Sequence, residues 1–215
     1  LSVSSAASDV YKRQAFRGLA KAGRWSMMSV ITPPLMAFIA GIVISSYLLI
    51  KAKETSGEQG TLGVLNASMG FSAVGIMGSG WTWAIHNSMI MGSSSMCATE
   101  GLVQCGSVIG DPQWNNLFGI PWGLIGIVSF ALIWFFVLSI RMDIHAKWAS
   151  GYVDLLFYVC LAGVPFVIWL VLVELTMVDG APHICPYCTV IHIALIGMVA
   201  CSYFLRQKRD TGTWS

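Results

Sequence analysis

The chain has 215 residues, of which 56% are hydrophobic and only 10% charged. A soluble domain carries roughly 25% charged residues, so this composition excludes an ordinary water-soluble globule and points to an integral membrane protein. A net charge of +2 carries no signal for a nucleic-acid partner, and none is expected. The length suits one bundle better than two domains.

Residues 1–8 read as a fragment end or a cloning scar, and no secretory signal is evident. Four apolar runs follow that are long enough to cross a hydrocarbon layer, which takes roughly 20 residues: residues 28–50, 117–140, 152–173 and 184–205. The expected fold is an all-α bundle of four transmembrane helices. Residues 1–27 form a cytoplasmic segment, 28–205 the membrane domain and 206–215 a cytoplasmic tail, with 51–116 as a long non-cytoplasmic loop. Pro33-Pro34 predicts an extended entry or a kink at the first span.

Basic residues orient such spans, because cytoplasmic loops are rich in Lys and Arg. Lys12, Arg13, Arg17, Lys21 and Arg24 precede the first span, Arg141 and Lys147 separate the second and third, and Arg206, Lys208 and Arg209 follow the fourth. With four spans, these ten of the twelve basic residues share the cytoplasmic side. Lys51 and Lys53 are offset by Glu54 and Glu58. Residues 61–79 are also apolar, but are interrupted by Gly63, Asn66, Ser68, Gly70, Ser72, Gly75 and Gly78. If they crossed, Arg141 and Lys147 would face outward, so the segment is read as interfacial or partly inserted. Trp81, Trp83 and residues 89–91 suit a lid at that depth, or an interfacial anchor. Asn66-Ala67-Ser68 matches a glycosylation acceptor, relevant only in a eukaryotic lumen.

Both cysteine pairs then lie on the oxidising side, where disulfides form and persist. Cys185-Pro186-Tyr187-Cys188 opens the fourth span. A helix start carries partial positive charge and free N–H groups, which favour a reactive thiolate, and Pro186 suits the first turn. Cys185 is expected to be the more exposed sulfur, with Cys188 one turn deeper. The alternatives are a structural disulfide or a zinc site drawing on His183 or His192, which would need four ligands. A c-type haem site needs His after the second cysteine, and Thr189 stands there. Cys97 and Cys105, upstream, form either a staple or a dithiol that exchanges with the membrane-level pair. Cys160 and Cys201 read as packing residues. Asp154 and Glu174, near span ends, are expected to face water.

The pattern Cys97-x7-Cys105-Gly-Ser, then Asn115-x-x-Phe118-Gly119-Ile120-Pro121, then Cys185-Pro-Tyr-Cys188 resembles the vitamin K epoxide reductase family, most closely its bacterial-type members. The resemblance spans roughly residues 28–205. It implies a bundle around a quinone (menaquinone, ubiquinone or vitamin K) with no metal. It implies that electrons pass from a thioredoxin-fold partner to Cys97 and Cys105, then to Cys185 and Cys188, and then to the quinone, in support of disulfide-bond formation. Asn115, Phe118 and His192 are the implied quinone-site residues. His192 stands where vertebrate members carry a tyrosine, which favours a respiratory quinone over vitamin K epoxide. It shares a helix face with Cys188, from which it would hydrogen-bond the quinone or deliver a proton; packing against a backbone carbonyl is the bland alternative. Many bacterial members carry a fused thioredoxin-like domain, so here the partner is expected to be a separate chain. The expected location is a bacterial inner membrane with the cysteines facing the periplasm, or the ER membrane facing the lumen in a eukaryote. Two other readings are an unrelated four-span quinone-dependent disulfide oxidase, disfavoured because its Cys-x-x-Cys comes first, and a non-enzymatic bundle stapled by disulfides.

Overall fold

The computed structural model describes residues 32–92 and 102–214. The basic residues at 12–24 and Cys97 lie outside them. The described chain is helical apart from one hairpin and its connections. In order come α1 (Pro33–Glu54), α2 (Gly57–Ile90), the single turn α3 (Gly106–Ile109), a hairpin of β1 (Asn116–Leu117) and β2 (Ile120–Pro121), α4 (Trp122–Met142), α5 (Ala149–Leu172) with a π-helical turn (Val173–Met177), and α6 (Pro186–Asp210).

Five helices are long and apolar enough to cross a membrane: α1, α2, α4, α5 with its π-turn, and α6. This corrects the four-span expectation. The segment read as an interfacial loop is the continuous 34-residue helix α2, so residues 57–90 are not a loop, and Trp81 and Trp83 stand on that helix. The glycines and serines that suggested interruption line the helix's packed faces. Of the apolar window of α2, 56% is buried, against 17–39% for the other four. Helices that associate in lipid meet through small residues that let backbones approach. A Cβ on Gly75 would sit 2.3 Å from the Phe130 ring of α4, and one on Gly197 of α6 would sit 2.6 Å from Phe71 of α2. The hydroxyls are satisfied within the helix: Ser68 donates to the Val64 carbonyl (2.9 Å), and Ser72 donates to that of Ser68 (2.7 Å).

Pro33 and Pro34 do not kink the first helix. They occupy its first turn, behind the N-cap Thr32, where a missing N–H leaves no bond unmade. Because α1 turns back at 55–56 into α2, Lys51 and Lys53 lie at the same end of the bundle as Arg141, Lys147, Arg206, Lys208 and Arg209. That end is held together by polar contacts. Lys208 Nζ donates to the Thr55 carbonyl, Thr61 donates to the Trp214 carbonyl (2.6 Å), and Trp214 Nε1 donates to the Ile144 carbonyl (2.8 Å). Asp154 does not simply face water: Arg206 (3.1 Å) and Arg209 (2.7 Å) both pair with it. Asn66 lies within α2 and is in contact with Arg141 at the end of α4. Cys160 and Cys201 are fully buried in the bundle.

The opposite end carries the cysteine motif, the hairpin and α3. Phe118 and Gly119 turn the hairpin with φ of +53° and +82°, the left-handed pair of values that a two-residue loop requires.

Candidate active site at the cysteine end of the bundle

Cys185 is the N-cap of α6, in an extended conformation, with Pro186 in the first turn. Its sulfur accepts the Cys188 N–H at 3.3 Å, and the two sulfurs lie 2.6 Å apart. The cap thus folds the motif so that the two thiols touch. The order of exposure is the reverse of the expected one. Cys185 is wholly buried, whereas Cys188 is partly open and lines a pocket.

The reason lies in what covers Cys185. The segment before Cys105 pairs with the segment before Cys185 through a parallel bridge between Val103 and Ile184. Gln104 N–H donates to the Ile184 carbonyl (3.1 Å), and Ile184 N–H donates to that of Leu102 (2.9 Å). Below this bridge, the Gln104 amide donates to His183 Nδ1 (2.8 Å), and His183 Nε2 donates to the Asp179 carbonyl (3.1 Å). His183 therefore braces a loop. Cys105 is buried, disulfide-bonded and placed as the N-cap of α3; its disulfide partner lies outside the described residues. The bridge sets Gln104 and Cys105 beside Ile184 and Cys185, so the segments carrying Cys105 and Cys185 run together.

Tyr187 locks the motif to the other helices. It is 2% exposed, its hydroxyl contacts Thr32 at the head of α1, and its ring packs edge-on to Phe38 (6.5 Å) and beside Trp81 (6.3 Å). Trp81 therefore belongs to the packed interior of α2.

The pocket is a small cavity of about 60 Å³ that opens to the outside. Cys188 and His192 of α6, Asn115 and Glu174 are among its lining residues, with Thr82 and His86 of α2. Trp114 and Trp122 complete an aromatic wall: Trp122 Nε1 donates to the Trp114 carbonyl (2.9 Å), and the rings pack on Trp169 and Phe166 at 6.0 and 6.2 Å. Asn115 is 8% exposed, and its amide donates to the Ile109 carbonyl beside His86 Nδ1. No hydrogen bond to another described residue holds the His192 ring. Phe118 does not join this group: it stands at the hairpin tip, 96% exposed.

Glu174 corrects another expectation. It is only 5% exposed, and its Oε2 accepts the Cys185 N–H at 3.3 Å, while the Cys188 thiol is a side-chain neighbour. The π-turn carries it, and such turns are frequent at functional sites. The available sequence signal was a carboxylate ending a long apolar run, the kind of position that marks function in membrane helices. His86, Trp114, Trp122 and Tyr187 had no comparable signal. Among the described residues no group of three or more His, Cys, Asp or Glu is placed to hold a metal.

A model of the vitamin K epoxide reductase family matches residues 66–203, well over half of the chain. The chain belongs to the vitamin K epoxide reductase family. The match contains both described halves of the site, all of α4 and α5, and most of α2 and α6; α1 precedes it. No curated protein and no solved structure matches the chain. Membership, with five apolar helices, makes this a multi-pass membrane protein of an oxidoreductase family associated with quinones.

Proposed function

We propose that the protein is a membrane thiol:quinone oxidoreductase that serves disulfide-bond formation. The observation that carries this reading is Cys188, which touches Cys185 on one side and opens on the other into a pocket walled by tryptophans. A flat, largely apolar ring with polar oxygens suits such walls, with Asn115 and His192 as the polar groups at its edge. Both thiols are oxidised to a disulfide, the quinone takes the two electrons and two protons, and quinol leaves.

The reduced state is then restored from outside. A thioredoxin-fold partner would reduce the pair formed by Cys97 and Cys105, and one of these would attack the Cys185–Cys188 disulfide. The bridge between Val103 and Ile184 supports this exchange by keeping the two segments adjacent. Cys185, buried under that bridge, is the sulfur nearer the loop, and Cys188 the one nearer the quinone. Seven Lys and Arg side chains at the far end support a cytoplasmic placement there, with the cysteines facing the periplasm or exterior.

The test is quinone reduction by purified protein in detergent. Cys185→Ala or Cys188→Ala abolishes turnover with a reduced thioredoxin-fold donor, and unchanged turnover in either would sink the proposal. Loss of Cys97 and Cys105 removes turnover with the protein donor but leaves turnover with a small dithiol.

A further inference from the structure

We infer that Glu174 is the proton acceptor for the Cys185–Cys188 dithiol, sharing one proton with Cys188 and passing it to the quinone. This rests on the proposed function and deepens it at the same site. The oxidation of two thiols releases two protons that must reach the quinone oxygens without charge being stranded in a dry pocket. A buried carboxylate without a cation is costly, and among the described residues no Lys, Arg or His forms an ion pair with Glu174. A structural carboxylate at this depth would ordinarily be paired. This one has instead the Cys185 N–H at 3.3 Å, the Cys188 thiol as neighbour and the pocket in front of it.

The placement is built in several steps. The π-turn Val173–Met177 extends the end of α5 by an off-register turn. The Glu174 carbonyl accepts the His183 N–H (3.0 Å), which ties the turn to the segment leading into Cys185. The side chain is then held at the head of α6, on the pocket side.

The step balances as follows. Glu174 carboxylate takes the Cys188 thiol proton, which leaves a thiolate and a carboxylic acid of unchanged total charge. The carboxylic acid delivers this proton to a quinone oxygen. Once discharged, Glu174 takes the Cys185 thiol proton as the two sulfurs join and two electrons pass to the quinone, and this second proton follows to the other quinone oxygen. The titratable groups around it are Cys185 and Cys188 of α6, with His192 of α6 and His86 of α2 lining the same pocket, and His183, whose N–H bonds the Glu174 carbonyl, in the preceding segment.

Glu174→Gln keeps an oxygen for the Cys185 N–H but takes no proton, and Glu174→Asp keeps the acid on a shorter arm. Turnover of the purified protein with a quinone and a small dithiol is expected to fall roughly 100-fold in Glu174→Gln, within the usual range for a lost general base. The quinone KM stays unchanged and Glu174→Asp recovers part of the rate. Glu174→Gln within threefold of the parent would overturn the inference. A second readout needs no quinone turnover: the pH dependence of Cys188 alkylation, followed by mass spectrometry. Sharing of one proton gives the parent one more coupled titration than Glu174→Gln, which keeps only the thiol titrations that Cys188 shares with Cys185; identical profiles would overturn the assignment. A parent that shows the extra titration but reduces no quinone would remove the proposed function and leave Glu174 as the dithiol's base.

Discussion

At the scale of single residues, the motif Cys185-Pro186-Tyr187-Cys188 divides its work. Cys185 caps the helix, Pro186 starts it, Cys188 opens to the pocket, and Tyr187 faces away to pin α1 and α2. Tyr187→Phe removes only the contact with Thr32, and is expected to lower stability by about 1 kcal/mol with turnover retained. Tyr187→Ala also removes the ring between Phe38 and Trp81, and should cost about 3–5 kcal/mol; thermal unfolding in detergent separates the two. His192 faces the pocket with no bond to another described residue, so its ring is free for a ligand. His192→Phe is expected to raise the quinone KM about tenfold, the equivalent of one hydrogen bond, while reduction of the protein by a dithiol is unaffected. The pair Cys185 and Cys188 was legible from its spacing, because cysteines two apart at a helix start carry their chemistry with them; Asn115 and His192, which line the pocket, were reached only through the family resemblance. Which sulfur is buried was not legible, because that depends on residues 102–104 covering Ile184, a contact across about eighty positions.

At the scale of elements, α2 carries the lesson. Its mean hydropathy of 1.3 is the lowest of the five long helices, since Gly, Ser and Thr occupy the faces that touch α1, α4 and α6. Read along the sequence, those residues look like breaks. Read around a helix, they are the contact surface. A helix at the centre of a membrane bundle needs close approach more than apolarity, so hydropathy understates the span that is most buried. Gly75→Ala places a methyl 2.3 Å from the Phe130 ring; it should destabilise the bundle by about 1–3 kcal/mol, read as a lower unfolding temperature. The α5 end was opaque for a different reason. A π-turn leaves no mark in composition, and without it Glu174 reads as a carboxylate at a helix end in water.

For the whole molecule, charge and chemistry separate to opposite ends. Asp154 with Arg206 and Arg209, and the tail through Trp214, close one end; the cysteine motif, the hairpin and the pocket form the other. Arg141, Lys147 and the last helix's cations gather at one end of the bundle, as their placement in the sequence predicts. Lys51 and Lys53 join them rather than lying at the other end, because residues 57–90 are helix rather than loop. Topology mapping distinguishes the two arrangements. In a cysteine-free background, a cysteine introduced at Thr55 should label with an impermeant reagent from the same side as one at Lys147, and from the side opposite one at Phe118. Labelling of Thr55 from the Phe118 side would restore four spans and a loop. The central claim, that Cys185 and Cys188 deliver their electrons to a quinone in the adjoining pocket, is tested by mixing the anaerobically reduced protein with a quinone and counting thiols and quinol together. The account predicts one quinol formed per Cys185–Cys188 disulfide and none from Cys188→Ala; quinol formation that persists in Cys188→Ala, or thiols that stay reduced in the presence of the quinone, would contradict it.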